Sequence, residues 1–186
     1  AHSLRTFVFI NKLDNPDYSL DETLLSIEES FNVRPILLSI PEYQNGKLVS
    51  VLDVLSKTRL IHNEDGREIP EKFLPGEEPE ILKKFYAEAV DFASNIDDEV
   101  LEKALSNEEV SPQLLIQALE KLVASGKYIL CYAGSAKKNF SVRSLMTSLT
   151  FFAAPCPALN SSELGLVFRL RYFHHEGEVA LFRAHT

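Results

Sequence analysis

The chain has 186 residues, of which 45% are apolar and 25% charged, and its formal net charge is −8 at pH 7. This length suits one domain or one and a half. No run approaches the roughly 20 apolar residues that span a membrane. The negative charge argues against a broad basic face that binds RNA. The two cysteines, Cys131 and Cys156, make no disulfide framework and favour a reducing compartment, and no second spaced cysteine supports a metal site at Cys156 with His174 and His175.

The first predicted strand, residues 7–10, runs into Asn11-Lys12-Leu13-Asp14. A buried strand would deliver this tetrapeptide to its carboxyl end, where open α/β sheets bind ligands. There Asp14 can accept two hydrogen bonds from the N1–H and the exocyclic amine of guanine, a bidentate pairing that adenine cannot offer. Asn11 can tie the loop to its neighbours, and the Lys12 stem can lie along the base. The alternative is an ordinary buried strand and turn, because such tetrapeptides also occur in loops.

Ser19 and Glu22 form a capping box that opens a predicted helix. Two or three short strands are expected between residues 35 and 61, with Asn45-Gly46 as a hairpin turn, and residues 63–66 break the chain again. The helix places these apolar residues on one stripe: Leu20, Leu24, Ile27 and Phe31.

Three further helices are predicted between residues 79 and 124. The last of them is opened by Ser111-Pro112, because proline fits the first helical turn. The acidic stretches at residues 77–78 and 97–99 indicate solvated faces and helix starts, with binding to a basic partner as the alternative. The helices carry apolar stripes that predict core rather than a cofactor site: Ile81, Phe85, Ala89 and Phe92; Val100, Leu101, Ala104 and Leu105; Leu115, Ala118, Leu119 and Leu122.

A second buried strand is predicted over residues 128–133, and it ends in Gly134-Ser135-Ala136. Small side chains let a backbone N–H approach a flat ring closely, so the Ala136 amide can contact the guanine carbonyl. Again the alternative is a strand and a turn. Two such strand ends in one chain favour a shared guanine site over two unrelated turns. We therefore expect the two strands to lie side by side and parallel in one sheet. A helix over about residues 142–152 is expected to follow.

Residues 154–157 are predicted to end this helix, and the segment from there to Gly165 is predicted to be a linker. Beyond it, residues 166–172 and 178–183 alternate apolar and polar side chains, which predicts a β-hairpin. Its turn contains His174 and His175, for which a place in the turn is favoured over a catalytic role.

The combination resembles the translational GTPases, and most closely the elongation factor G group. In that group the two guanine-reading motifs lie far apart, and here Asn11 and Ser135 are separated by 135 − 11 = 124 residues. Residues 34–41, 48–55 and 69–71 are similar to the "xPxxLxxP" strand, the "FxGxxDL" strand and the "IP" turn of the subdomain inserted there. Glu42, Ser50 and Ser141 stand where that group usually has glycine. We therefore expect reshaped turns and a diverged paralogue.

The resemblance implies an α/β fold: a partial P-loop GTPase-type parallel sheet, an inserted α+β subdomain and a C-terminal β-hairpin from a truncated barrel. Residues 1–34 and 125–157 would form the C-terminal part of the GTPase domain. Residues 35–124 would form a separate inserted lobe, and residues 158–186 the linker and first strands of the barrel. The sequence contains no G-x-x-x-x-G-K-[ST] loop to cradle phosphates, so this chain alone is expected to be inactive.

The resemblance further implies a GTP- or GDP-binding translation factor that acts on the ribosome, with Mg²⁺ in the intact protein. Its guanine-binding residues would be Asn11, Lys12, Asp14, Ser135 and Ala136. No membrane and no sequence-specific nucleic acid is expected as a partner, and the location would be the cytoplasm or, alternatively, the mitochondrial matrix. The open alternatives are a ribosome-recycling paralogue, a tetracycline-protection protein, a release factor three or a non-catalytic module. The short linker disfavours a standard elongation factor.

Overall fold

The computed structural model describes residues 5–15, 19–64, 66–152, 165–173 and 177–184. The chain divides into two compact units, Ala1–Ala153 and Ala154–Thr186. Residues 153–164 and 174–176 lie outside the described residues, so the structure does not address the predicted linker, Cys156 or the histidine pair. The strands and helices in chain order are β1 Phe7–Ile10, α1 Leu20–Phe31, β2 Arg34–Gln44, β3 Lys47–Asp53, β4 Thr58–His62, β5 Glu68–Lys72, α2 Glu80–Ser94, α3 Asp98–Leu105, α4 Pro112–Ala124, β6 Tyr128–Ala133, α5 Val142–Phe152, β7 Gly165–Phe173 and β8 Gly177–Ala184.

The first unit is built on one six-stranded sheet in the order β1-β6-β2-β3-β4-β5. β1 and β6 are parallel neighbours, with Phe7 opposite Leu130 and Ile10 opposite Ala133. The predicted side-by-side pairing of these two strands is therefore confirmed. Because the carboxyl ends of parallel neighbours meet at one edge of a sheet, this pairing brings the two predicted loops together.

The expected separate lobe is not observed. β2 pairs in parallel with β6, and β3, β4 and β5 continue the same sheet as antiparallel strands. The backbone N–H and C=O groups on the second edge of β6 need partners, and β2 supplies them. Residues 34–72 thus extend the sheet of the guanine motifs and belong to the same compact unit.

Two turns test the local predictions. Asn45 and Gly46 both have positive φ, 52° and 72°, as the two central residues of a type I′ hairpin require, so the predicted turn between β2 and β3 is confirmed. The predicted "IP" turn is wrong, because Ile69 and Pro70 lie inside β5. β5 is an edge strand, where the missing N–H of a proline can face away from the ladder.

The predicted helical stripe is confirmed in full only in α4. In α1, Ile27 is buried as predicted but Phe31 is 63% exposed. All four predicted α4 residues are buried, whereas α2 buries Leu82, Ala89 and Ala93 and leaves Ile81 43% exposed. Leu105 of α3 is 75% exposed. α2 carries two adjacent apolar stripes, and only packing against its neighbours decides which one faces inward.

The second unit contains β7 and β8, which pair antiparallel as the predicted hairpin. Its assignment to the start of a barrel stays a prediction. Within the described residues, no helix combines the length and the apolar character that crossing a membrane requires. The predicted α/β class, with a parallel strand pair and a C-terminal hairpin, is confirmed.

Candidate guanine-binding site

Backbone hydrogen bonds continue the β1–β6 pairing into the two loops. Gly134 N–H donates to the Ile10 carbonyl over 3.0 Å, and Leu13 N–H donates back to the Gly134 carbonyl over 3.1 Å. Leu13 is buried and 1% exposed, so it anchors the first loop in the core while its neighbours stay at the surface. The Leu13 carbonyl accepts a bond from the Tyr43 hydroxyl over 2.8 Å.

Asn11 ties the two loops together, as the sequence predicts. Its Oδ1 accepts the Lys12 backbone N–H over 2.8 Å and the Ala136 backbone N–H over 2.9 Å. The Ala136 amide, which the sequence assigns to the guanine carbonyl, therefore already has a partner within the protein. A guanine carbonyl would share this donor with Asn11.

Asp14 is held by the second loop. The Ser135 hydroxyl donates to Asp14 Oδ1 over 2.7 Å, and Lys138 Nζ lies 4.0 Å from Oδ2. The bond from Ser135 is the main cause that holds the pKa of Asp14 below its usual value, with smaller contributions from the charges of Lys138 and Lys137. An ionised carboxylate accepts hydrogen bonds only, which is the state that the N1–H and amine of guanine require.

Lys12 adopts the left-handed conformation, with φ 67°. Such a backbone costs a non-glycine residue about 1–3 kcal/mol and persists where the surroundings over-determine it. Here the Asn11 carboxamide accepts the Lys12 N–H. The resulting turn borders a cavity of about 340 Å³ lined by Asn11, Lys12, Asp14, Asn15, Ser135 and Lys137, within the usual size range of ligand pockets.

A larger cavity of about 450 Å³ lies between α4, α5 and the β4–β5 hairpin. It contains none of the predicted guanine-binding residues, whereas all of them except Ala136 line the smaller cavity. Burial raises the pKa of the Cys131 thiol to about 12, which makes this cysteine a core residue rather than a nucleophile. Among the described residues, no three His, Cys, Asp or Glu side chains form a candidate metal site.

The loop from Ser135 to Ser141 closes on itself. Ser135 N–H donates to the Phe140 carbonyl over 3.2 Å, and Phe140 N–H donates back to the Ser135 carbonyl over 2.9 Å. Gly134 is required by this closure, because a Cβ there would collide with the Phe140 carbonyl and would lie 2.7 Å from Ser141 Cβ. The small residues before Ala136 thus serve loop packing.

Ser141 has a positive φ of 66°, in the region that favours glycine, and it stands where the related group usually has glycine. The expected reshaping of this turn stays a prediction. The Ser141 hydroxyl donates to Ser39 Oγ over 2.7 Å, and Ser39 Oγ accepts the Ala133 N–H over 2.7 Å. Hydrogen bonding within the sheet offsets the strain of the backbone.

Glu42 and Ser50, the other two departures from glycine, are directly opposed in the β2–β3 ladder. The Ser50 hydroxyl donates to Glu42 Oε2 over 2.7 Å, and Arg59 donates to both carboxylate oxygens over 2.6 and 3.1 Å. Burial raises the pKa of Glu42, but the bonds from Arg59 and Ser50 outweigh it and the net pKa is lowered. At two positions where the related group usually has glycine, this chain therefore has a carboxylate, paired with Arg59, and a hydroxyl that donates to that carboxylate.

The sequence did not indicate Tyr43, Ser39 or Glu68 as neighbours of the site. Tyr43 bonds the first loop, while Ser39 and Glu68 bond Ser141 at the end of the second. All three lie on strands of residues 34–72, far from both motifs in sequence. Only the pairing of β2 with β6, which the sequence did not predict, could have pointed to them.

The chain was compared with family models, with known proteins and with solved structures. No family model matches it. It is 32% identical over 162 residues to the mitochondrial ribosome-releasing factor 2 of Anopheles gambiae and 26% identical over 196 residues to that of Drosophila yakuba, covering 83% and 98% of this chain but 22% and 27% of those proteins. A protein of solved structure from Thermus thermophilus matches 96% of this chain over 27% of its own length, with a TM-score of 0.73 and 25% identity. The chain thus spans about a quarter of the length of its relatives.

The parallel strands with their paired loops, the antiparallel extension and the C-terminal hairpin define an α/β fold, as the sequence predicts. The resemblance to the elongation factor G family that the sequence predicts is confirmed by these similarities.

Proposed function

We propose that the intact protein is a GTP-hydrolysing translation factor that acts on the ribosome, and that this chain supplies its guanine-recognition edge. Asp14 would accept the guanine N1–H and amine, Ala136 would face the base carbonyl, and the Lys12 stem would cover the ring. Asn11 and Ser135 would hold these groups in place. The observation that carries the proposal is the pair of cross-loop bonds, Ser135 to Asp14 and Ala136 to Asn11.

Phosphate and Mg²⁺ binding are not assigned to any residue of this chain. The sequence has no phosphate-cradling loop, and a GTPase needs one together with Mg²⁺ to stabilise the transferred phosphoryl group. This division supports a role for the 186 residues in base selection rather than in hydrolysis.

Among the roles within the family, we propose ribosome recycling in the mitochondrial matrix. The relatives are named mitochondrial ribosome-releasing factor 2, and this name supports recycling in mitochondria over cytoplasmic translocation. The altered polar contacts at Glu42, Ser50 and Ser141 fit a paralogue that has diverged from an elongation factor.

The test is subunit separation by the full-length protein, followed by sucrose-gradient sedimentation of mitochondrial ribosomes. GTP should support separation into subunits and ATP should not, because only guanine offers the donor pair for Asp14. A translocation assay run in parallel should give little activity. Separation that proceeds equally with ATP, or a protein that binds no guanine nucleotide, would contradict the proposal.

A further inference from the structure

The β4–β5 hairpin contacts the second candidate guanine loop, residues 135–141. Glu68, the first residue of β5, is 2% exposed, and its Oε1 accepts the Ser141 backbone N–H over 2.5 Å. The Glu68 carbonyl in turn accepts a bond from Arg143 Nη1 over 3.2 Å. A buried carboxylate therefore fixes the point at which the loop re-enters helix α5.

A second contact comes from the last residue of β4. The His62 ring stacks on Phe140 with ring centroids 4.0 Å apart and an interplanar angle of 24°. His62 Nε2 also lies 3.2 Å from the Asn139 carbonyl oxygen. Phe140 is 5% exposed, so the far end of the loop is packed as well as hydrogen-bonded.

These contacts hold a strained backbone. Asn139 and Ser141 have φ values of 59° and 66°, and residues other than glycine occupy this region only where their surroundings fix them. Ser39 bonds the Ser141 side chain, Glu68 bonds its N–H, and His62 packs beside it. Three separate strands thus set the shape of one short loop.

The near end of the same loop carries base recognition. The mutual bonds between Ser135 and Phe140 connect the two ends, and Ser135 then bonds Asp14. Any shift of Phe140 and Ser141 is passed through this bridge to the group that orients the Asp14 carboxylate.

Building on the proposed function, we propose that Glu68 is a positioning residue for base selection. It holds the loop in the one shape in which Ser135 orients Asp14 toward both guanine donors. The β4–β5 hairpin is then part of the specificity machinery, although neither of its strands reaches the base.

The discriminating measurement uses two nucleotides. GDP and inosine diphosphate differ only in the exocyclic amine, which is one of the two donors to Asp14. The ratio of their dissociation constants therefore reports the orientation of Asp14, and general destabilisation does not change it. Competition against a fluorescent guanine nucleotide on the full-length protein gives both constants.

The variants are Glu68→Ala, Glu68→Gln and a matched control, Glu42→Ala. Glu42 is also a hydrogen-bonded carboxylate of this sheet, but its partners are Ser50 and Arg59 rather than the loop. For Glu68→Ala we expect about a tenfold weaker GDP affinity, equivalent to about 1.4 kcal/mol, and a GDP preference over inosine diphosphate that falls several-fold. Glu68→Gln keeps an oxygen acceptor for Ser141 and should retain both values within about twofold, as should Glu42→Ala.

A folded Glu68→Ala variant with the wild-type nucleotide preference would overturn the inference, and so would an equal loss in Glu42→Ala. If Glu68→Ala does not fold, His62→Ala tests the same loop through its second contact and should also lower the preference, and an unchanged preference in that variant would overturn the inference. A wild-type protein that binds neither nucleotide would instead overturn the proposed function itself.

Discussion

Single residues decide whether the guanine loops keep their shape. Lys12, Asn139 and Ser141 all hold a left-handed backbone without being glycine, and each is in a loop of the candidate site. Glycine would adopt this conformation without strain. Partners that hydrogen-bond or pack against these residues replace the freedom of glycine, so the site is fixed by its contacts rather than by backbone permissiveness.

Asp14→Asn in the full-length protein tests base recognition. The amide presents a donor toward the guanine N1–H, and a charged hydrogen bond is lost. We expect a loss of GTP affinity of roughly a hundredfold. The preference should shift toward xanthine nucleotides, which carry a carbonyl acceptor in place of the exocyclic amine of guanine. Competitive titration with GTP and xanthosine triphosphate measures both. Unchanged affinity and preference would remove Asp14 from the site.

Glu68→Gln tests the pH dependence of stability. Burial raises the pKa of Glu68, and the Ser141 N–H, the His62 charge and the Arg143 N–H only partly oppose it. The second carboxylate oxygen has no hydrogen-bond partner among the described residues. A raised folded pKa contributes stability that is complete below the unfolded value of about 4.5 and is lost as pH rises through the folded pKa. The variant should therefore gain stability relative to the wild type as pH rises above about 4.5.

The control, Glu42→Gln, should show the opposite pH dependence of stability. The net pKa of Glu42 is lowered by Arg59 and Ser50, so its ionised form stabilises the fold above pH about 4.5 and this contribution is lost in acid. Glu42→Gln should lose stability relative to the wild type as pH rises from acid to about 4.5, and the difference should stay constant above that pH. Urea unfolding at a series of pH values compares the two, and parallel curves for both variants would contradict the assignment.

At the scale of elements, the β4–β5 hairpin and the second guanine loop form one packed unit. The bond from Ser141 to Glu68 and the stacking of His62 on Phe140 join segments that lie far apart in sequence. The conformation of the loop therefore depends on the hairpin as well as on β6 and α5, which flank it in sequence. We expect changes in the hairpin to alter the loop more than changes in the unconnected helix α3, which is nearer in sequence.

Gly134→Ala tests the packing of this loop. The added Cβ meets the Phe140 carbonyl and Ser141 Cβ, and overpacking of this kind costs about 1–3 kcal/mol. We expect a lower free energy of unfolding and weaker nucleotide binding by the full-length protein. Gly126→Ala is the control: its φ of 73° makes alanine strained, but the Cβ meets nothing within 4 Å. It should lower stability and leave nucleotide affinity unchanged, and equal losses of affinity would contradict this explanation.

At the scale of the whole molecule, one continuous sheet connects the guanine loops to the residues that resemble the inserted subdomain. β1 is its edge strand within the described residues. An edge with unpaired backbone groups favours pairing with a further strand. The two candidate guanine loops therefore lie at one edge of the described sheet, next to the edge of β1 at which a further strand can pair.

The 186-residue chain alone is expected to bind nucleotide weakly and to hydrolyse none. Most affinity in GTPases comes from charge-assisted bonds to phosphate and from Mg²⁺, and the sequence has no loop of that kind. A few bonds to the base must offset the several kcal/mol lost on association. Titration calorimetry with GTP and GDP should give a dissociation constant no better than about 1 mM, with the full-length protein as the positive control. A micromolar constant, or phosphate release, would show that the phosphate site has been misplaced.

The sequence by itself determined most local elements and which two loops meet at the candidate site. Asn11, Asp14 and Ser135 follow apolar strands, and the β1–β6 pairing could be predicted because such motifs need adjacent strand ends. Strong local signals, such as the Asn45-Gly46 turn and the α4 stripe, depend only on near neighbours. These were correct because backbone preference and packing agreed there.

Tertiary structure alone decided where residues 34–72 go. Hydrogen bonding of β2 to β6 joined them to the guanine sheet, and this placed Tyr43, Ser39 and Glu68 against loops that are distant in sequence. It also fixed which of two stripes α2 buries, and it stabilised the positive φ of Ser141. Each of these outcomes depends on contacts between segments far apart in the chain, because burial and hydrogen-bond satisfaction are settled only when the elements pack together.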